Sequence, residues 1–255
     1  MKKLILSLFI LLTLFQLSAH ADKLDSLKQK LQITKDSLKG PVYVDIANQY
    51  LLKNDSISSR RLKFLNQLEA LNYTMLALHN YSNLEDSLGL RTCYNNLSKI
   101  YRLQRKYIQA KWFTLQSNSI SRIRKDVPNV IASLIELSAI KGDMEDYKFA
   151  MGDLNEALKL SIKNKSLQSE MDVQLGYAAL YRQMKEFTKA SLAIQRHQEI
   201  SDSIHKAQID SMARIAARDS IQMRKKDSII VKKKVYISKS KKTSRPSSTK
   251  RIASL

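Results

Sequence analysis

Residues 94–120 read "YNNLSKIYRLQRKYIQAKWFTLQSNSI", and the spacing inside this stretch returns twice downstream. Its landmarks are Ser98, Tyr101, Tyr107, Ala110 and Ser117. Forty residues on stand Ser138, Lys141, Tyr147, Ala150 and Ala157, and forty beyond those Ala178, Tyr181, Phe187, Ala190 and His197. Ala70 and Ala77 fit one period earlier. A register that holds without a slip from 91 to 200 marks a repeat architecture. Small residues at one level let two antiparallel helices approach closely, and the aromatic residues fill the wedge toward the next pair.

Each period reads as helix, short turn, helix: 91–104 with 106–124, 129–141 with 144–163, and 168–183 with 186–200. Turn signals stand at Lys141-Gly142-Asp143 and around Asp126-Val127-Pro128, where Pro opens a helix. One such pair cannot bury its apolar face alone, so the pairs must stack. Composition agrees, because five Gly and three Pro among 255 residues are too few for a turn-rich β architecture. The expected fold is an all-α solenoid of antiparallel helix pairs, followed by a long C-terminal helix and a basic tail.

At these residues the chain resembles the tetratricopeptide repeat family. The 94–120 stretch has that family's Leu-small-x-x-Tyr element, then Tyr-x-x-Ala, then a small residue seven on. "LGYAALYRQMKEFTKASLAIQ" at 175–195 repeats it through Ala178, Tyr181, Phe187 and Ala190. The units are about 44–84, 91–127, 131–167 and 171–201. In the first, Ala47 and Tyr50 are in place, but about eleven extra residues precede Ala70, so it is a distorted repeat or a capping pair. Other departures are Lys141 for an aromatic, Thr114 for a large apolar residue, His197 for a small one, and no Gly in the turns near Arg105 and Lys185.

The resemblance implies a groove lined by the first helix of each pair and a protein or peptide ligand. Asn95, Lys99 and Arg102, at i, i+4 and i+7, share one helix face. By the family's geometry that face is the groove, joined by Asn48 and Arg182, with Ile135 and Ala139 as an apolar floor. A basic, amide-bearing groove suits an acidic or C-terminal peptide through charge-assisted hydrogen bonds. The alternative is a solvated helix face. Chains of this look also precede a membrane span and a histidine kinase or helix-turn-helix regulator. That makes a sensory or regulatory module the alternative function.

Catalysis finds little support. His79, His197 and His205 form no metal-ligand spacing, and there is no Gly-rich phosphate loop or nucleophile elbow. No metal or cofactor is expected. His197 reads as a packing residue, as do Trp112, Phe113 and Tyr147.

The ends carry different information. Residues 1–21, "MKKLILSLFILLTLFQLSAHA", read as a secretory signal: Lys2 and Lys3, an apolar run, then Ala19-His20-Ala21. Cleavage after Ala21 places the mature chain, 22 onward, in the periplasm, the cell envelope or the medium. The apolar run is short for a spanning helix, which needs about 20 residues. Cys93 is the single cysteine, so no internal disulfide exists, and it reads as a small buried hydrophobe. The net charge is +21, concentrated at the C-terminus. Segment 202–231 reads as a weakly amphipathic extension helix packing on the last repeat, and no strict heptad supports a coiled coil. The arm 232–255 has nine Lys or Arg, no acid and eight Ser or Thr. It reads as disordered, fit for an anionic envelope polymer or membrane surface. With one Tyr it offers little for nucleic-acid stacking.

Asp-Ser-apolar occurs eight times, with its serines at Ser26, Ser37, Ser56, Ser87, Ser203, Ser211, Ser220 and Ser228. No base or metal site accompanies any copy. Capping explains little, because only Asp219 has Gln or Glu three residues on. The last four copies are spaced 8, 9 and 8, so their serines make no stripe on a helix. The triplet resembles an O-glycosylation acceptor used on exported proteins by one large phylum of Gram-negative bacteria.

Overall fold

The computed structural model describes residues 23–243. The expected leader 1–21 with its expected cleavage after Ala21, residue 22, and the end of the basic arm at 244–255 lie outside the described residues. Nine α-helices and one short 3-10 turn, Asp36–Leu38, make up the described chain, with no strand. They are α1 Lys23–Ile33, α2 Lys39–Ser56, α3 Arg60–Asn83, α4 Ser87–Leu103, α5 Tyr107–Ile123, α6 Val127–Asp143, α7 Tyr147–Lys163, α8 Leu167–Gln183 and α9 Phe187–Thr243.

From Ser87 onward the helices start every twenty residues, run seventeen, and are joined by three-residue turns, α9 alone running longer. Each turn, and the one before α4, has a residue in the left-handed region: Glu85, Arg105, Lys125, Glu145, Lys165 and Lys185, at φ 52–63°. At Arg105 the backbone closes as a Schellman motif, with Lys106 N–H donating to Tyr101 O and Arg105 N–H to Arg102 O. None of these residues is Gly, so each turn pays roughly 1 kcal/mol of backbone strain. Gly142, expected in a turn, is instead buried inside α6, and the turn falls at Met144–Asp146. Starts are fixed by side chains at three helices: Asp86 accepts from Leu88 and Gly89 N–H, Asp126 from Asn129 N–H, and Ser166 from Ser169 N–H. Asp86 belongs to an Asp-Ser-apolar triplet, so capping does explain that copy.

Chain 23–200 is one compact unit of paired helices: α2 on α3, α4 on α5, α6 on α7, and α8 on the start of α9. The alanines at the repeat positions, Ala70, Ala77, Ala110, Ala150 and Ala157, are fully buried, with Ala178 and Ala190 nearly so. Ser98, Ser117 and Ser138 are buried beside them. Tyr101, Tyr107, Tyr147 and Tyr181 are half-buried, whereas Phe187 is exposed. The eleven extra residues between Ala47 and Ala70 resolve into four at the C-terminal end of α2 and seven at the start of α3. That pair is a longer hairpin, and its second helix keeps the forty-residue register of Ala70 and Ala77.

Unusual residues find partners. The Thr114 and Ser98 hydroxyls lie 2.6 Å apart in the core. His197 is half-buried with Nδ1 3.1 Å from Met171 O. Cys93 is fully buried, and burial together with the Asp86 charge pushes its thiol up to about 12.

Residues 201–255 form the second unit, whose described part is the rest of α9. Residues 205–223 are all exposed, including Ile209, Met212, Ile215, Ile221 and Met223. One expectation fails here. The helix continues to Thr243, so 232–243 are helical rather than disordered. Helix formation there needs no tertiary cover, because the stretch lacks Gly and Pro and spaces Asp202, Lys206, Asp210 and Arg214 at i, i+4.

Candidate functional site

A cleft of about 650 Å³ lies between the first helices of two successive pairs. One wall is α4, with Asn95, Lys99, Arg102 and the turn residue Arg105. The other is α6, with Asn129, Ala132, Ser133, Glu136 and Asp143. Ser98, Thr114 and Tyr107 lie deeper. Three of the five expected groove residues thus share a cleft. Asn48 is not among its lining residues; its side chain accepts from Asn96 Nδ2 at 3.0 Å. Arg182 is exposed on α8, also away from this lining.

Arg102 differs from expectation. Its Nε donates to Asp143 Oδ2 at 2.7 Å and one Nη1 N–H to Glu136 Oε1 at 3.4 Å. Burial would lower the guanidinium, but the Asp143 and Glu136 carboxylates outweigh it and hold Arg102 above its ordinary value. Its charge is therefore answered within the protein, and it cannot serve as the free cation of an anion clamp. Its remaining N–H groups are held in a fixed orientation, suited to neutral acceptors such as peptide carbonyls. Asp143 also accepts from Gln183 Nε2 at 2.9 Å, tying α4, α6 and α8 together.

The free cations are Lys99 and Arg105, both exposed. With Asn95 they have no side-chain hydrogen bond or ion pair among the described residues. Opposite them, Asn129 is occupied by Asp126 at 2.9 Å, and Asp126 is paired with Arg91 at 2.6 Å.

Ile135 and Ala139 do not line this cleft. The reason is geometric: the two walls are opposite flanks of parallel helices, so facing residues occupy different repeat positions. Ile135 looks on toward α8, where a Cβ on Gly176 would lie 3.4 Å from its Cγ2. Asn129, Glu136 and Asp143 were missed for the same reason, and Arg105 because it stands in the turn after α4, outside the helix periodicity. The one available signal was the charge spacing of 34 from Arg102 to Glu136, repeated from Arg122 to Glu156, a pair 2.7 Å apart.

Among the triplet serines, Ser26, Ser37, Ser56, Ser203, Ser211 and Ser220 are exposed. Ser87 is half-buried and accepts from Arg124 Nη1 at 3.3 Å. Ser228 lies on α9, outside the described side chains. Among the described residues, no three or more His, Cys, Asp or Glu are grouped as metal ligands would be, and no helix is long and apolar enough to cross a membrane.

Two solved structures share this architecture. One shows the nearly identical TPR-like repeats of a Podosopora anserina protein described as a kinesin light chain. It aligns at a TM-score of 0.54 and 14% identity, covering 71% of this chain and 86% of that one. A variant of the same protein aligns at 0.56 and 13%, covering 72% and 87%. At such identities the likeness concerns the fold, an all-α solenoid of TPR-like repeats. No family model and no curated protein matches the chain.

Proposed function

We propose that this chain is an exported, non-enzymatic scaffold that holds an extended peptide segment of a partner protein in the cleft between α4 and α6. The observation that carries this is the division of labour on the α4 wall. Arg102 is charge-matched and oriented for neutral backbone acceptors, whereas Lys99, Arg105 and Asn95 stand free for an acidic side chain or terminus. TPR-like solenoids are protein-interaction modules, which supports the class of partner. Export rests on the leader 1–21 with cleavage after Ala21, and contact with anionic envelope material on the arm 232–255. Exposure at six of the eight triplet serines supports their reading as sugar-attachment sites.

Fluorescence anisotropy with labelled acidic, neutral and basic peptides tests the cleft. The acidic peptide should bind best, and Lys99→Glu with Arg105→Glu should weaken it by at least about tenfold at an unchanged melting temperature. Equal binding of all three peptides, or no effect of the double variant, would refute the reading.

A further inference from the structure

The two ends of the paired-helix unit are finished differently. At the N-terminal end α1 turns Leu24, Leu27 and Leu31 onto the core of the first pair and presents Asp25, Ser26, Gln29 and Lys30 outward. That is a capping helix with a polar back, which repeat stacks need for solubility. Among the described residues of this unit, the last pair has no such helix. Inside the stack, α8 lies against α6 at Gly142, beside Gln183, and against α7 at Leu154, where a Cβ on Gly176 would lie 2.7 Å from Leu154 Cδ2. There Leu154 is fully buried and Ile135 half-buried. Forty residues on, the equivalent Leu175, Arg182 and Ile194 are all exposed, Leu175 by 47%.

The same chain has an apolar helix stripe that also lacks cover. At about 100° per residue, Ile204, Met212, Ile215 and Met223 fall in one sector. Met212, Ile215 and Met223 are exposed. Asp219 stands in that sector, one turn from both Ile215 and Met223, and Arg182 stands at the open end; neither has a partner among the described residues. Segment 201–223 has Asp202, Asp210 and Asp219 against Lys206, Arg214 and Arg218, so it is neutral within a basic protein and does not repel a copy of itself. No Gly or Pro lies between Phe187 and Thr243 to mark a turn in α9.

We infer that the open end at Leu175, Arg182 and Ile194 is an interface covered by the 204–223 stripe of a second copy of this chain. The exchange is reciprocal, so a two-fold dimer closes with both ends covered. Asp219 of each copy meets Arg182 of the other.

Sedimentation velocity on the purified protein tests it. The wild type should dimerise below about 100 µM, a threshold set by the affinity of a modest interface. Arg182→Asp and Asp219→Arg should each raise the dimer Kd by about tenfold, and the two together should restore it to within about threefold. Mixing Leu175→Cys with Ile215→Cys should give disulfide-linked heterodimers, since buried Cys93 does not compete. A monomer at that concentration would overturn the inference. So would a dimer indifferent to Arg182→Asp, or cross-links forming only between like variants.

Discussion

The second and third helix pairs, α4/α5 and α6/α7, use one repeat position for opposite chemistry. In the first of them Tyr101 stacks on Phe113, ring centroids 5.4 Å apart and planes at 4°. Forty residues later the same two positions hold Lys141 and Asp153, joined at 2.7 Å with side chains 19% and 14% exposed. The lengthened first pair stacks Tyr50 on Tyr73 at 6.0 Å. In the last pair Tyr181 faces Ala193, and without a second ring an outer cleft of about 300 Å³ remains, lined also by Tyr177, Lys189 and Leu192. The repeat therefore constrains a pair of positions, and neither residue type alone. Any two groups that satisfy each other across the helix pair will hold it.

The half-buried ion pair is the costlier solution. Burial raises the Asp153 carboxyl above its ordinary value, and the attraction of Lys141 only partly offsets this. Removing one partner is worse than keeping both, because an ammonium is left in a half-buried site. Asp153→Ala should therefore cost about 2–3 kcal/mol in denaturant unfolding. Lys141→Tyr with Asp153→Phe, which restores the aromatic solution, should come within about 1 kcal/mol of the wild type or exceed it. If the double replacement is as damaging as the single one, the two chemistries are not equivalent and the comparison fails.

The empty position sharpens it further. Ala193→Phe should stack on Tyr181, fill the outer cleft and add up to about 1 kcal/mol of stability, read from the denaturant midpoint. A loss would mean that the Tyr177–Tyr181 stack, 6.1 Å between centroids, already claims that space.

Acid separates the two kinds of carboxylate, with a smaller effect and opposite signs. The Arg91 hydrogen bond, with those of Asn129, holds Asp126 below its ordinary value. Its stabilising contribution is present above the unfolded-state value and is lost as pH falls through the folded one. Asp153 is raised, so its folded form binds the proton more tightly, and its contribution declines as pH rises through that interval. On acidification from about pH 6 to pH 3, Asp126→Asn should lose less melting temperature than the wild type and Asp153→Asn more. The reverse order would put the desolvation penalty at the wrong carboxylate.

Much of the fold was legible in the sequence because stacking imposes a strict period. A slip of one residue would bring Ala110 or Ala150, both fully buried, out of the contact that only a small side chain fits. The turns were less legible. Their left-handed positions are filled by Lys, Arg and Glu, while Gly142 serves close packing inside a helix. The cleft was half legible: Asn95, Lys99 and Arg102 share a helix face, which local periodicity shows. Glu136 and Asp143 face them from a neighbouring helix in a different register, and no local pattern relates the two.

By itself the sequence determined the all-α class, the forty-residue period, the small residues at the helix contacts and the uneven distribution of charge. These follow from backbone hydrogen bonding and from the room each contact leaves, both set by residue type and spacing. Only the tertiary structure decided that Arg102 is answered by Asp143 and Glu136, leaving the free charge to Lys99 and Arg105. It also decided that Lys141 is satisfied by Asp153, and that Leu175 and Ile194 lie open where their repeat equivalents are covered. Such pairings depend on which flank each helix turns to its neighbour, a property of packing that no single helix encodes.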